Sequence, residues 1–262
     1  MSQVNTLVIT GYGTNSHQET AHAARLAGAD RADVVHFSDI VAAKVRLSEY
    51  QFLVFPGGFL DGDDLGAAQA AAQRWLHLSD AEGQPLLDSL NRFVDAGGLV
   101  LGICNGFQLL VKLGVLPALD GKRFERQVSL SHNDSARYED RWVQLKPNPD
   151  SPCIFTKGLA VHGGARDAAT LQRLQDANLI ALQYTHPETG EATQEHPWNP
   201  NGSPLAIAGL TDPTGHILGL MPRPEAFHHA TNHPGWTRGE VAGPGTALFA
   251  NAVQYLRENP VS

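Results

Sequence analysis

The sequence predicts an α/β fold, a three-layer αβα arrangement with a mainly parallel central sheet, on three observations. Short runs that are apolar at every position, not at alternate ones, recur through the first half of the chain. Such strands are buried on both faces, as parallel strands are. Alanine-rich stretches with helical spacing separate them, which is the alternation that builds a sheet between two helix layers. Several of the apolar runs also stop at glycine clusters, where a strand can turn sharply into a helix.

Leu7-Val8-Ile9-Thr10 is the first strand, stopped by Gly11-Tyr12-Gly13, and a helix is expected over residues 19–29. Val34-Val35-His36-Phe37 reads as the second strand and Phe52-Leu53-Val54-Phe55 as the third, ending at Pro56-Gly57-Gly58. Helices are expected over residues 67–78 and 86–96. Leu99-Val100-Leu101-Gly102-Ile103 is the fourth strand, and Leu109-Leu110-Val111-Lys112-Leu113 beyond it is helical. The second half is less regular. Strand-like pieces over residues 142–145, 180–184, 205–210 and 217–220, with turn residues such as Asn199-Pro200-Asn201-Gly202 between them, predict antiparallel pairs. A last helix is expected over residues 246–257. With no internal repeat or low-complexity tract, residues 1–262 read as one domain with a continuous sheet.

Composition narrows the function classes. A chain of 262 residues, 42% hydrophobic and 18% charged, can bury roughly three quarters of its unfolded surface and needs no disulfide or metal staple. Its two cysteines, Cys104 and Cys153, are too few for a disulfide scaffold, so a reducing cytoplasm is the expected compartment. The formal charge of -8 argues against unaided binding to nucleic acid or to an anionic membrane, either of which needs a basic surface. Met1-Ser2-Gln3-Val4-Asn5 opens no export signal, and no apolar run approaches the roughly 20 residues of a membrane span.

The most informative segment is Gly102-Ile103-Cys104-Asn105-Gly106-Phe107-Gln108, between a buried strand and a helix. A strand-to-helix turn of this kind is a nucleophile elbow: it presents its central side chain at the carboxyl edge of the sheet, with glycines relieving the crowding. Chemically, the helix amino terminus favours a thiolate, and the next backbone N–H points where an oxyanion would form. A free thiol is only a few per cent ionised at pH 7, so such help matters. From position alone, Cys104 is equally readable as a small buried hydrophobe.

Gly102-x-Cys104-x-Gly106-x-Gln108 resembles the nucleophile motif of class I glutamine amidotransferases, in particular the glutaminase subunits of phosphoribosylformylglycinamidine synthase. Pro56-Gly57-Gly58-Phe59 with Gly62-Asp63 is similar to that family's second oxyanion loop, and Gly13-Thr14-Asn15 followed by Glu19 to its first turn. Asn199-Pro200-Asn201-Gly202-Ser203 and Gly219-Leu220-Met221-Pro222 resemble its later signatures, so ordered motifs run from about residue 5 to 257. The resemblance implies a flavodoxin-like fold and a glutamine-hydrolysing activity in purine synthesis. Cys104 would be the nucleophile that forms a thioester, and the Gly58 and Asn105 N–H groups the oxyanion donors. Gly57, Phe59 and Gln108 would bind substrate. The ammonia would pass to a synthetase partner, which would hold the ATP and magnesium; the resemblance implies no cofactor or metal for this chain. Cys153, in Ser151-Pro152-Cys153-Ile154-Phe155, lacks such a context and reads as a packed structural thiol.

Two departures qualify the resemblance. Where the family reads Pro-His-Pro-Glu, this chain reads Pro222-Arg223-Pro224-Glu225. The orienting carboxylate is kept as Glu225, but Arg223 stands in the place of the general base and cannot take up a proton. Around Val161-His162-Gly163-Gly164-Ala165-Arg166 the family's acidic residue is missing, and the segment from Gly158 to His162 is short. Three functions therefore stay open: the glutaminase, a cysteine enzyme of the same fold in a specialised pathway acting on another amide or carbonyl compound with Arg223 holding an anionic group, and a catalytically inactive binding subunit. His228, His229 and His233, with His162, are the other candidates for a base, although a His-rich polar loop needs no catalytic role. A zinc site there lacks a recognisable ligand set. Asp61, Asp63 and Asp64 read as a solvated acidic turn without calcium-loop spacing.

Overall fold

The computed structural model describes residues 2–159, 169–239 and 245–261. Its eight strands are β1 (Asn5–Thr10), β2 (Arg31–His36), β3 (Phe52–Phe55), β4 (Leu99–Ile103), β5 (Gln144–Pro147), β6 (Ile180–Thr185), β7 (Ile207–Thr211) and β8 (Ile217–Leu220). They form one sheet in the order β2-β1-β3-β4-β8-β7-β6-β5. Neighbours from β2 to β8 run parallel, whereas β8 with β7, β7 with β6 and β6 with β5 are antiparallel. The helices are α1 (His17–Leu26), α2 (Phe37–Val41), α3 (Gln69–His77), α4 (Leu86–Asp95), α5 (Asn105–Lys112), α6 (Ala169–Asp176) and α7 (Ala247–Glu258).

The continuous apolar runs now have their explanation. Because successive side chains of a strand point to opposite faces, Leu7, Ile9, Leu53, Phe55 and Val100 enter a core shared with Trp75 of α3, Leu90 of α4 and Leu110 of α5. Val8, Phe52, Val54, Leu99 and Leu101 enter the opposite core, shared with Ala24 of α1 and Phe249 of α7. Helix α4 shows the matching stripe: Leu86, Leu90, Phe93 and Val94 are its buried residues, one face of a 3.6-residue period. Burying each such leucine or phenylalanine stabilises the fold by roughly 1.5–3 kcal/mol.

The mainly parallel sheet and the antiparallel second half agree with the sequence pattern, and the differences have local causes. Leu205 and Ala206 take left-handed φ values of 54° and 55° in a turn after Ser203, so β7 begins only at Ile207. The Gln183 side-chain amide donates to the Leu205 carbonyl at 2.7 Å, which occupies that group outside the ladder. Trp142 lies outside β5, its ring edge-on to Phe227 at 5.1 Å. Helix α2 is too short to show a period, and its amino end is capped by the His36 ring, which accepts from the Ser38 N–H at 3.2 Å. Helix α6 carries a thin stripe, Leu171 and Leu174, on otherwise polar sequence. Among the described residues no helix is long and apolar enough to cross a membrane.

Two glycines set how closely α5 lies on the sheet. A Cβ at Gly106 would collide with the Phe55 carbonyl, and one at Gly102 would stand 2.6 Å from a Leu110 methyl. Gly106→Ala should therefore lower stability by about 1–3 kcal/mol through overpacking against a backbone that cannot yield, read as a lower urea midpoint; an unchanged midpoint would show that α5 can move off β3 freely.

Candidate functional site

Parallel pairing brings the ends of five strands, β2, β1, β3, β4 and β8, to one edge. Phe55 of β3 lies opposite Gly102 of β4, and Ile103 of β4 opposite Leu220 of β8. The loops after β1 and β3 are joined by a bridge between Thr14 and Gly58, with the Asn15 N–H on the Gly57 carbonyl at 3.2 Å and the Phe59 N–H on the Gly13 carbonyl at 2.9 Å. Strand β6, antiparallel to a strand that is itself antiparallel to β8, also ends at this edge. Ligands of open parallel sheets bind at such carboxyl edges.

Cys104 is the elbow between β4 and α5, at φ 53° and ψ -109°. A non-glycine residue there stores about 1–3 kcal/mol of strain, and both its backbone groups are held: its N–H donates to the Leu220 carbonyl at 2.8 Å and its carbonyl accepts from the Gln108 N–H at 3.1 Å. Asn105 opens α5, so its N–H is one of the helix's unpaired amino-terminal donors. The Gly58 N–H meets no hydrogen-bond acceptor among the described residues. Gly58 sits at φ 150°, and a Cβ there would come within 2.5 Å of the Gly13 carbonyl oxygen, so only glycine lets the two loops touch.

The Asn105 side chain is buried and fastens this turn to the loop after β3. Its amide donates to the Asp63 carboxylate at 2.9 and 3.1 Å and to the Gln108 side-chain oxygen at 3.1 Å, and its oxygen accepts from the Leu60 N–H at 3.1 Å. Asp63 also accepts from the Ala68 N–H at 2.9 Å, and Asp61 pairs with Arg74. The acidic turn is thus a built support, which corrects the expectation of a merely solvated loop. Phe59 stands at the rim, 48% exposed, its ring 6.0 Å from Tyr138.

Arg223 follows β8 and reaches across the edge. One guanidinium nitrogen donates to Cys104 Sγ at 3.7 Å and the other to the Asn15 side-chain oxygen at 3.0 Å. The group also lies on Gly57, where a Cβ would come within 3.1 Å of its central carbon. Burial works against this cation, but Cys104 as charge and acceptor, with Tyr138 and Glu225, outweighs burial and holds the guanidinium above its usual range. Tyr184, near the end of β6, is almost wholly buried; burial first, and then the Cys104 charge, pushes its phenol up, and its hydroxyl donates to Asn201.

Glu225 is wholly buried, and neither of its carboxylate oxygens has a hydrogen-bond partner. The terminal nitrogens of Arg223, two residues earlier, are bonded to Cys104 and Asn15 and not to this carboxylate. Burial pushes the Glu225 carboxyl up to about 7, against which its own backbone N–H, Ser16 and Arg223 act only in part, while Glu19 adds to the rise.

The histidines are occupied elsewhere. His228 bonds the Glu225 carbonyl at 3.2 Å and packs edge-on to His22 at 5.0 Å. His229 caps the turn Ala230–Asn232, and His233 accepts from the Gly235 N–H at 3.1 Å. Among the described residues no histidine hydrogen-bonds the thiol and no group of three His, Cys, Asp or Glu side chains converges to hold a metal ion. His162 and the altered stretch around it lie outside the described residues. Cys153 is wholly buried and its thiol is pushed up by burial, as suits a packing residue. Sequence reasoning missed Ser16, Tyr138 and Tyr184, for which no local signal exists. Topology alone carries them to this edge.

The family of CobB/CobQ-like glutamine amidotransferase domains matches residues 3–256. The chain belongs to this family. Among relatives of this amidotransferase domain, the phosphoribosylformylglycinamidine synthase subunit PurQ of Methanococcus maripaludis strain C5 is 38% identical over 273 residues, covering 96% of this chain and 98% of the relative. The subunit of the same name from Dehalococcoides mccartyi is 38% identical over 268 residues, covering 98% and 100%. The fold agrees with a chain of the solved PurLQS structure from Thermotoga maritima, at a TM-score of 0.66 and 24% identity over 97% of this chain and 100% of that one.

Glu225 makes a signed prediction. Its folded-state carboxyl near 7 lies above the ordinary 4.5, so the folded protein keeps this proton longer than the unfolded chain. The stability this group contributes is fully present below about pH 4.5 and is lost as pH rises through about 7. Wild type should lose on the order of 3 kcal/mol from this source between pH 4.5 and 8, whereas Glu225→Gln should not. Denaturant unfolding at the two pH values checks it; parallel declines in both proteins would contradict it.

Proposed function

We propose that this chain is the glutaminase subunit of an enzyme of the phosphoribosylformylglycinamidine synthase type, folded as one domain that needs no cofactor of its own. The observation that carries this reading is the elbow: a strained cysteine at the carboxyl edge, with a cation on its sulfur and two backbone donors beside it. The glutamine amidotransferase family to which the chain belongs supports glutamine as the substrate, and the names of the relatives, similar over nearly the whole chain, support the synthase type.

Cys104 Sγ, as thiolate, attacks the glutamine carboxamide carbon. The Gly58 and Asn105 N–H groups take the charge that grows on the former carbonyl oxygen. Collapse to the thioester releases the nitrogen as ammonia with a proton taken from water, and the hydroxide so formed attacks the thioester carbon, giving glutamate and returning the Cys104 thiolate. Arg223 cannot act as the base, but its guanidinium, 3.7 Å from the sulfur, is placed to balance the negative charge of the attacking thiolate. Gly57, Phe59 and Gln108 shape the substrate side, with Gln108 braced by Asn105. The ammonia passes to a synthetase partner, where ATP and magnesium belong.

Glutamate release from glutamine, measured with the synthetase subunit from the same cell, tests this. Cys104→Ala should lower the rate by about 10⁴-fold or more while leaving the thermal midpoint intact; unchanged release would remove Cys104 from the reaction. The guanidinium beside the sulfur favours one second reading, a substrate with a carboxylate near the attacked carbonyl. A Cys104 adduct from such a compound, with no glutamate formed from glutamine, would select it.

A further inference from the structure

Arg223 and Glu225 present an unequal arrangement: the guanidinium feels the charge of two acidic groups, Cys104 and Glu225, and hydrogen-bonds only the first. Its terminal nitrogens are committed to Cys104 Sγ and to Asn15. Glu225, two residues on, is 0% exposed with both oxygens unpartnered. A carboxylate in that position, cut off from water and helped only in part by Ser16 and its own backbone N–H, is disfavoured unless it gains a cation or keeps its proton. Arg223 is the cation that acts on it.

We propose that Glu225 is a positioning residue that decides which group Arg223 serves: while Glu225 carries its proton, the guanidinium lies on Cys104 Sγ as seen here, and when Glu225 ionises, the guanidinium turns to the carboxylate and releases the thiol. The position of the Glu225 carboxyl, raised by burial to about 7, places this exchange near neutrality. The other titratable groups facing the pair are Glu19 on α1, which opposes ionisation of Glu225, Cys104 from the elbow, and Tyr138 beside Arg223. His228 bonds the Glu225 carbonyl and leans on His22 of α1. Among the described residues neither Glu19 nor the two histidines hydrogen-bonds the guanidinium. Asn15 can keep its bond to Nη1 while Nη2 changes partner, so the arm pivots about one fixed contact. The exchange concerns the reactivity of the thiol and holds whichever acyl compound Cys104 attacks.

The test is the rate at which iodoacetamide alkylates Cys104, the sulfur displacing iodide, between pH 5.5 and 8.5, with the adduct located by peptide mass. Wild type should show an inflection near pH 7 beyond the ordinary rise of a thiol, changing the ratio of rates at pH 8 and 6 several-fold. Glu225→Gln should lose that inflection. Arg223→Met should lose it too, because Glu225 acts through Arg223. An inflection that survives in Glu225→Gln would belong to His22, His228 or the thiol itself, and one that survives in Arg223→Met would mean direct action of Glu225; either overturns the proposal. Wild-type crystal structures at pH 5.5 and 8.5 read the same exchange without a substitution. The guanidinium should move from Cys104 Sγ to Glu225, and its presence on Cys104 at both would overturn the proposal.

Discussion

Helix α5 lies so close to β3 and β4 that its first turn has no room for a Cβ at Gly106, and the chain must pass from strand to helix within a single residue. That residue is Cys104, and its left-handed backbone follows from the close approach. The strain is offset because neighbours on both sides over-determine it: β8 accepts its N–H, and α5 returns a donor to its carbonyl. A hydrophobic sheet on one side and a close-packed helix on the other thus convert core burial into the exact placement of one sulfur atom at the edge of the sheet.

The charges around that sulfur depend on the same geometry. Since β8 is paired to β4, the loop after β8 emerges beside the elbow, which is why Arg223 reaches Cys104 across more than a hundred residues of sequence. Asn105 and Asp63 fix the neighbouring loop after β3, and Asn15 fixes the far side of the guanidinium. The unbalanced member is Glu225. Burial keeps it from water, and the arginine that would otherwise neutralise it is engaged by the thiol, so the protonation of a buried carboxyl and the reactivity of an exposed-edge cysteine become linked through one side chain.

Much of this was legible in the sequence because it is local. Runs such as Phe52-Leu53-Val54-Phe55 announce strands buried on both faces, and the glycine spacing about Cys104 announces the elbow before any contact is known. Arg223 was legible as an anomaly, but not its contact with the sulfur, since that depends on which strands pair. Asp61 and Asp63 read as solvent-facing because nothing local shows that Arg74 and Asn105 come to meet them. Tyr184, Tyr138 and Ser16 reach the site through strand order and loop packing, which no period or motif encodes. The start of β7 was misplaced for a similar reason: the Gln183 side chain, from the adjacent strand, takes the Leu205 carbonyl out of the ladder.

The central claim is that Cys104 is a glutamine-directed nucleophile in a centre whose cation is Arg223. Treatment with a glutamine analogue bearing a diazoketone in place of the carboxamide, followed by peptide mapping, tests it most directly. The account predicts a single adduct on Cys104, suppressed by excess glutamine, and none on the buried Cys153. Absence of the Cys104 adduct, or labelling that glutamine does not suppress, would contradict it.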